Sequence, residues 1–165
     1  MKLLACPKCH QQLHLENKTL KCENNHCYDI SKRGYINLLL NPDKATNNPG
    51  DSKESLVARK AYLNKGYYDP ILNQVITCID EFKHQDDLSI LDLGCGEGYY
   101  TQGLKKHFEN SDIYGLDISK IAIDMATRYR KDVTWLVGNS KNIPILDHSL
   151  DLSVLYFTVS KSKMN

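Results

Sequence analysis

Residues 88–100 have the sequence Leu-Ser-Ile-Leu-Asp-Leu-Gly-Cys-Gly-Glu-Gly-Tyr-Tyr, an apolar run that leads into three closely spaced glycines. The apolar residues predict a buried β-strand, and a helix with Leu104 on its inner face is predicted after the glycines. Glycine has no Cβ and tolerates positive φ, so such a turn lets the backbone pass close beneath a ligand. The free amides at the start of the helix add hydrogen-bond donors there. The stretch therefore predicts a ligand site between a strand and a helix.

The glycine spacing indicates the class of ligand. Dinucleotide-binding proteins seat a pyrophosphate on G-x-G-x-x-G, whereas Gly94, Gly96 and Gly98 follow G-x-G-x-G after an acidic strand residue, Asp92. S-adenosylmethionine has no phosphate, and its cationic amino group suits a nearby carboxylate. The pattern favours S-adenosylmethionine. A nicotinamide or flavin cofactor, or a tight turn without a ligand, are the alternatives.

The residues that follow alternate between predicted strands and helices. A second strand over 113–117 ends in Asp117, whose carboxylate can accept hydrogen bonds from both ribose hydroxyls, although nicotinamide enzymes use the same position. A helix follows from Ser119. A third strand over 133–137 precedes Asn139, which we expect at the edge of the adenine, and a fourth strand covers 150–156. This alternation predicts an α/β fold, Rossmann-like, with a parallel sheet and the ligand at its carboxyl edge.

The first 27 residues predict a metal site. Cys6 and Cys9 are followed by Cys22 and His26, two pairs whose spacing suits a tetrahedral zinc ion. Between the pairs, a β-hairpin is predicted with its turn at 16–18. A module this small cannot bury enough surface to fold alone, so the metal would supply much of its stability. Four protein ligands leave no open position, which makes the zinc structural. Cys27 is an alternative fourth ligand, and free thiols in an unstructured leader are another.

The predicted organisation has three parts: a zinc-binding module over 1–40, a linker and helix over 41–68, and a partial cofactor domain over 69–165. Residues 41–50 are polar and rich in turn residues. Asp51 with Glu54 predicts a helix start, and that helix is expected to end near Asn64. A further helix is predicted from Asp69.

The composition indicates where the protein is located and what kind of partner it has. No apolar run approaches the roughly 20 residues that span a bilayer, and the N-terminus is a poor signal peptide, so we expect a cytoplasmic protein without membrane contact. In a reducing cytosol the 6 cysteines are not expected to form disulfides. Residues 1–60 hold 10 Lys/Arg against 6 Asp/Glu, whereas 61–165 hold 11 against 14. This imbalance suggests a polyanionic partner such as RNA, with ordinary surface variation as the alternative.

With both motifs in view, the chain resembles bacterial guanine-N1 methyltransferases of large-subunit (23S) ribosomal RNA. The resemblance covers nearly all of residues 1–156. Its marks are Cys6-Pro-Lys-Cys9-His10, Cys22-x3-His26, Gly34-Tyr-Ile-Asn-Leu38, Pro49-Gly-Asp-Ser52, Ala58-Arg-Lys-Ala61, Gly66-Tyr-Tyr68 and Leu91-Asp-Leu-Gly-Cys-Gly-Glu-Gly-Tyr-Tyr-Thr101.

The resemblance implies a class I methyltransferase that transfers a methyl group from S-adenosyl-L-methionine to N1 of a guanine in a hairpin loop. It implies structural Zn2+ on Cys6, Cys9, Cys22 and His26. Further cofactor contacts are implied for Tyr68, Tyr100 and Thr101, beside the glycine loop. It also implies a 23S rRNA hairpin gripped by the zinc module, and often a homodimer. A non-catalytic, zinc-dependent RNA-binding fragment is the alternative function, and a nicotinamide oxidoreductase is disfavoured by the glycine spacing.

The end of the sequence departs from that family. Its members continue well past this point and carry a Tyr-x-Pro segment after the fourth strand, where this chain has Tyr156-Phe157-Thr158. The family sheet has the order 3-2-1-4-5-7-6, so we expect strands 1–4 only, ordered 3-2-1-4, with the fourth strand as an exposed apolar edge. We therefore expect a truncated or frameshifted product, or a fragment. The sequence indicates no catalytic base, since Asp147, His148 and Asp151 are expected in a turn and a strand.

Overall fold

The computed structural model describes residues 1–40, 51–84 and 87–156. The predicted linker over 41–50 and the segment from Phe157 onward lie outside these ranges. Three strands form a small antiparallel sheet, in the order β1-β2-β3: β1 (His14–Glu16), β2 (Thr19–Lys21) and β3 (Cys27–Asp29). Five strands form a parallel sheet: β4 (Ile36–Asn37), β5 (Ser89–Leu93), β6 (Asp112–Asp117), β7 (Thr134–Val137) and β8 (Leu152–Leu155). The described helices are α1 (Lys53–Leu63), α2 (Asp69–Phe82), α3 (Tyr99–His107) and α4 (Lys120–Ala126).

The small sheet contains the hairpin that the sequence predicts. Leu15 pairs with Leu20, and the two-residue turn between β1 and β2 is possible because Asn17 adopts a positive φ of 58°, a conformation that asparagine tolerates better than most residues. A third strand was not predicted: β3 pairs with β2 through Leu20 and Tyr28. It begins directly after His26 of the second ligand pair and is only three residues long, so no separate strand pattern for it is visible in the sequence.

The parallel sheet has the order β4-β7-β6-β5-β8. Its last four strands follow the predicted order 3-2-1-4, which confirms the class I fold. The sheet has five strands rather than the four expected, because Ile36–Asn37 pairs in parallel with Leu136 and Val137. This strand lies inside the range assigned to the zinc module, whose boundary at residue 40 stays a prediction. Two residues are too few to give a strand pattern in the sequence, which is why β4 could not be predicted.

Helix starts follow local capping chemistry. The N-cap of α1 is Ser52, whose Oγ accepts a hydrogen bond from the Ser55 amide at 3.2 Å. The predicted cap, Asp51, instead pairs with Arg59 at 3.8 Å. Helix α2 begins at Asp69 with proline in its first turn, as expected. Across the described ranges, no helix has both the length and the apolar character needed to cross a bilayer.

The two faces of the parallel sheet are covered differently, because neighbouring strand residues point to opposite faces. On one face, Ile90, Ile113 and Trp135 belong to a cluster with residues of α2, α3 and α4. On the other face, Leu91, Tyr114 and Leu136 belong to a cluster that includes two of the predicted zinc ligands and several neighbours from the N-terminal segment: Leu4, Cys6, Leu13, Leu20 and Cys22. The zinc module therefore forms a layer of the α/β fold and covers one face of the sheet.

Candidate cofactor site and metal centre

The four predicted zinc ligands converge at one point. The ligand atoms of Cys6, Cys9, Cys22 and His26 all lie within 4.8 Å of one another. Sγ of Cys9 and Sγ of Cys22 are 3.6 Å apart, and Nδ1 of His26 is 3.5 Å from Cys6 Sγ and 3.4 Å from Cys22 Sγ. Tetrahedral zinc bonded to sulfur at about 2.3 Å and nitrogen at about 2.0 Å separates its ligands by roughly 3.5–3.8 Å. The donor set and its spacing fit a structural zinc ion.

The surroundings of the metal centre separate ligands from bystanders. Cys27 is exposed, and its Sγ contacts the Asn25 carbonyl at 3.4 Å, so the alternative fourth ligand lies outside the cluster. The Tyr28 hydroxyl lies 3.3 Å from Cys6 Sγ, a neighbour of the ligand set that sequence reasoning missed. Hydrogen bonds from the Asn24 side chain and the Gln11 backbone lower the pKa of the Cys9 thiol to about 6, which favours the thiolate that binds metal.

The glycine loop is fastened to the end of strand β6. The amides of Gly94 and Cys95 both donate to the Leu116 carbonyl, at 2.8 and 3.1 Å. Asp117 accepts from the Gly96 amide at 2.9 Å with one carboxylate oxygen and from the Ser119 amide at 2.7 Å with the other. The predicted ribose acid therefore also holds the loop. A carboxylate has about four acceptor sites, so Asp117 keeps capacity for the sugar hydroxyls.

Two glycines in this loop are required for different reasons. Gly96 has a φ of +57°, and no heavy atom lies within 4 Å of the place where a Cβ would be, so its backbone borders open space. Gly98, with a φ of +85°, could not carry a Cβ, because that atom would lie 2.6 Å from Cη2 of Trp135. Gly96 leaves room for a ligand, whereas Gly98 leaves room for the core.

Asp92 lies beneath the loop and is almost completely buried. One carboxylate oxygen accepts a hydrogen bond of 2.6 Å from the Thr101 hydroxyl, and the other, Oδ1, is buried with no partner among the described residues. Burial raises the pKa of Asp92 to about 7. A buried carboxylate oxygen without a partner is costly unless a ligand supplies one. The cationic amino group expected of the cofactor fits this need.

The resemblance-based contacts divide into two groups. Tyr100 is buried and stacks on Tyr156, with ring centroids 3.8 Å apart and planes 9° from parallel. Burial, and then the proximity of Tyr68, raise the pKa of Tyr100. Contact of either tyrosine with the cofactor stays a prediction. Thr101 is fully buried behind Asp92, and its hydroxyl is already engaged there. The structure therefore places Thr101 where it orients Asp92.

Asn139 follows β7 at the same edge of the sheet. The neighbouring Gly138 amide donates to the Asp117 carbonyl at 3.0 Å, so Asn139 lies beside the predicted ribose acid. Its side-chain oxygen accepts from the Lys141 amide at 3.0 Å, which shapes the turn. Contact between Asn139 and an adenine stays a prediction.

Two charged residues of α1, Arg59 and Lys60, lie near Glu97 of the loop, and no role was predicted for them from the sequence. Glu97 is buried, with Oε2 unpaired among the described residues, and burial raises its pKa, which is lowered again in part by the nearby Arg59 and Lys60. Nζ of Lys60 is buried over the ring of Tyr129, 3.3 Å from its centroid. Arg59 also interacts electrostatically with Tyr100. The signal was present in the Ala58-Arg-Lys-Ala61 motif, but it gave no direction for the side chains.

The candidate acids after β7 occupy structural positions, as expected. Asp151 accepts from the Ser89 amide at 2.8 Å and donates its own amide to the Ser89 carbonyl at 3.0 Å, which joins β8 to β5. His148 has a positive φ of 54° in the turn before β8. No side chain is assigned here as a catalytic base.

Comparison with known families agrees with this geometry. The zinc-ribbon family described as RlmA, N-terminal, matches residues 4–45, and a methyltransferase domain family matches residues 90–163. The chain therefore matches an RlmA-type zinc ribbon in its N-terminal part and a methyltransferase domain in its C-terminal part.

Two curated proteins are similar to this chain over nearly its whole length. The 23S rRNA (guanine(748)-N(1))-methyltransferase of Streptomyces fradiae is 32% identical over 159 residues, covering 95% of this chain and 56% of the relative. The provisionally named 23S rRNA (guanine-N(1)-)-methyltransferase YxjB of Bacillus subtilis is 29% identical over 165 residues, covering 96% of this chain and 57% of the relative. The chain spans a little over half the length of these curated relatives.

Solved structures show the same fold. A provisionally assigned S-adenosyl-L-methionine-dependent methyltransferase of Methanococcus maripaludis superposes with a TM-score of 0.56 at 23% identity, covering 69% of this chain and 54% of the other. The parallel sheet of this chain therefore has the class I methyltransferase fold.

Proposed function

We propose that this protein acts in the transfer of a methyl group from S-adenosylmethionine to N1 of a guanine in 23S ribosomal RNA. The observation that carries the proposal is the combination, in one chain, of the Cys3His cluster with a glycine loop fastened to Asp117 above the unpaired Asp92 oxygen. The relatives named above support the same reaction and substrate class.

The residues around the loop match the parts of the cofactor. Asp117 would accept from the ribose hydroxyls, and Asp92 Oδ1 would accept from the methionine ammonium. The Arg59 side chain, which lies near both Glu97 and Tyr100, is a cation suited to the methionine carboxylate. When bound, S-adenosylmethionine supplies an electrophilic methyl group, and the protein contributes mainly by positioning.

The substrate we propose is a 23S rRNA hairpin held by the zinc ribbon, with the target base unstacked to reach the methyl group. The Tyr100–Tyr156 stack next to Asp92 provides an aromatic wall at that place. We also propose that the protein is cytoplasmic and that it forms a homodimer. Sedimentation would test the homodimer.

Calorimetry with S-adenosylhomocysteine and with NAD tests the cofactor. We expect S-adenosylhomocysteine to bind and NAD not to bind; binding of NAD alone would remove the methyltransferase assignment. Gly96→Ala and Gly34→Ala form a matched pair, since both glycines have positive φ and open space at the Cβ position. Only Gly96→Ala should abolish binding, because only its methyl group would enter the cofactor site.

Methyl transfer tests the reaction. Unmodified 23S rRNA is incubated with the protein and S-[methyl-3H]adenosylmethionine, and the RNA is digested for nucleoside mass spectrometry. The expected product is 1-methylguanosine. Binding of both S-adenosylhomocysteine and RNA without any methylated nucleoside would instead favour a non-catalytic, zinc-dependent RNA-binding function.

A further inference from the structure

A concave groove of about 410 Å3 lies between the zinc ribbon and the turn from α4 to β7. Lys18, Lys32 and Arg33 line it from the N-terminal side, and Arg130 and Lys131 line it from the cofactor domain. Within residues 1–40, 51–84 and 87–156, no acidic side chain lines it. Five cations from three separate segments of the chain therefore meet around one concave surface.

The two arginines of the groove form ion pairs with acids that are not among its lining residues. Nε of Arg33 is 2.9 Å from a carboxylate oxygen of Asp124. Arg130 binds Asp132 in a bidentate manner, with distances of 2.9 and 2.7 Å. Fixed guanidinium groups lose less conformational freedom when they bind an anion, so they are prepared to receive one.

The three lysines carry the uncompensated charge. Lys18, Lys32 and Lys131 are exposed, and none of them has an ion-pair partner within the part of the chain that the structure describes. A single small anion could not satisfy cations spread over three segments, whereas a polymer with a charge on every residue could. Cations in this arrangement suit a phosphate backbone.

We propose that this groove, formed by Lys18, Lys32, Arg33, Arg130 and Lys131, binds the phosphate backbone of the substrate RNA. The inference rests on the proposed function for the identity of the polyanion. It adds a surface to which both parts of the chain contribute, so that bound RNA would bridge the zinc ribbon and the cofactor domain.

The position of the groove determines what it can read. Lys131 and Val133 precede β7, at the amino-terminal edge of the sheet, whereas the glycine loop follows β5 at the carboxyl edge. A four-residue strand such as β7 spans about 13 Å. The groove would therefore hold backbone at a distance from the reacting base. Backbone contacts fix orientation and carry no sequence information, so the groove should contribute affinity without selecting the guanine.

Charge reversal tests the groove. The triple variant Lys18→Glu/Lys32→Glu/Lys131→Glu is compared with Lys53→Glu/Lys65→Glu/Lys106→Glu, which changes the net charge equally at exposed lysines outside the groove. Fluorescence anisotropy measures binding of a labelled 23S rRNA hairpin between 50 and 250 mM KCl. We expect the groove variant to lose more than tenfold in affinity and its salt slope to fall by about 2, since each lost phosphate contact removes about 0.7–0.9. The control should stay within about twofold.

Zinc content, affinity for S-adenosylhomocysteine and RNA binding together distinguish a failure of the groove inference from a failure of the proposed function. Zinc content and S-adenosylhomocysteine affinity should be unchanged in both triple variants, which shows that they fold. If the unmodified protein binds the cofactor product and the hairpin but both variants bind RNA equally well or equally poorly, the groove inference is overturned and the proposed function stands. If the unmodified protein binds no hairpin, the proposed RNA substrate itself fails.

Discussion

The zinc ribbon and the parallel sheet reach stability by different routes. Every residue of β1 in the ribbon is exposed, whereas four of the six residues of β6 in the sheet are buried. A ribbon of three-residue strands, one of them fully exposed, buries too little apolar surface to persist alone, so it depends on its metal. The sheet depends on a continuous core between its strands and helices.

The two regions are nevertheless joined. Cys6 and Cys22 belong to the apolar cluster that covers Leu91 and Tyr114 of the sheet. Backbone hydrogen bonds of 3.0 Å from Ala5 to Pro144 and of 2.8 Å from Leu146 to Leu3 cross the same boundary. The metal should therefore stabilise more than its own module, because the ribbon supplies the layer that covers one face of the sheet.

Loss of the metal should produce the largest effect. Cys22→Ser removes one of four ligands, and structural zinc contributes about 10–16 kcal/mol in zinc-finger peptides. We expect hydrogen exchange to lose protection in β1–β3 completely and in β5–β7 partly, since one face of the sheet becomes uncovered. Cys27→Ser, at an exposed thiol outside the cluster, is the matched control and should bind zinc normally. Full protection of β5–β7 in Cys22→Ser would show that the two regions are independent.

The second largest effect should come from a methyl group added to the core of the sheet at Gly98. Gly98→Ala places a Cβ 2.6 Å from Trp135 at a φ of +85°. Backbone strain of about 1–3 kcal/mol and overpacking of about 1–3 kcal/mol should lower the free energy of unfolding by about 2–6 kcal/mol in urea denaturation. Gly96→Ala carries the strain without the clash and should cost less. Equal losses would contradict the packing argument. Zinc content should change in neither variant.

The next effect concerns a single carboxyl group of the sheet: the affinity for the cofactor should depend on pH through Asp92. Because burial raises the pKa of Asp92 to about 7, its carboxyl is neutral in acid and cannot attract an ammonium group. Affinity for S-adenosylhomocysteine should therefore rise up to about tenfold per pH unit toward pH 7 and level off above it. In Asp92→Asn the binding should be weaker and this rise absent.

The contribution of Asp92 to the free energy of unfolding should fall with rising pH, whereas the cofactor affinity rises. A carboxyl whose pKa is raised by folding binds more protons in the native state, so its contribution to the free energy of unfolding falls as pH rises from about 4 to about 7. Asp92→Asn should remove that fall, whereas Asp112→Asn, at an exposed residue of β6, should retain it. An identical pH profile for Asp92→Asn and the unmodified protein would contradict the assignment.

The smallest effect should come from the neighbour of a zinc ligand. Tyr28→Phe removes the hydroxyl 3.3 Å from Cys6 Sγ, and partners of this kind typically contribute about tenfold or more to metal affinity. Competition with a chromogenic chelator measures the change. Tyr67→Phe, at an exposed tyrosine far along the sequence, serves as the control and should leave zinc affinity unaltered.

Local patterns made much of the fold predictable. The strand that ends in Asp92 and Leu93, the glycine loop and the strand that ends in Asp117 are each encoded by consecutive residues, and the alternation of strands and helices predicted that they would be parallel. The strand order 3-2-1-4 came from the family that the sequence resembles. The ligand set of the ribbon was equally local, because each pair of ligands lies within one short turn.

Features that depend on distant segments were not predictable. Strand β4 pairs with an edge of β7 that lies a hundred positions later in the chain. The packing of the ribbon against Tyr114, and the buried positions of Lys60 and Glu97, depend on how complete elements meet. A motif shows that such residues are present, but the direction of a side chain is decided by the assembled neighbours.

The single tryptophan has a practical consequence. The indole Nε1 of Trp135 donates to the Arg130 carbonyl at 2.7 Å, beside the basic groove, while its far ring edge lies against Gly98. This one fluorophore therefore lies between the basic groove and the core side of the glycine loop. Its emission can report the arrival of nucleoside and of polynucleotide in the same cuvette, without any label attached to the chain.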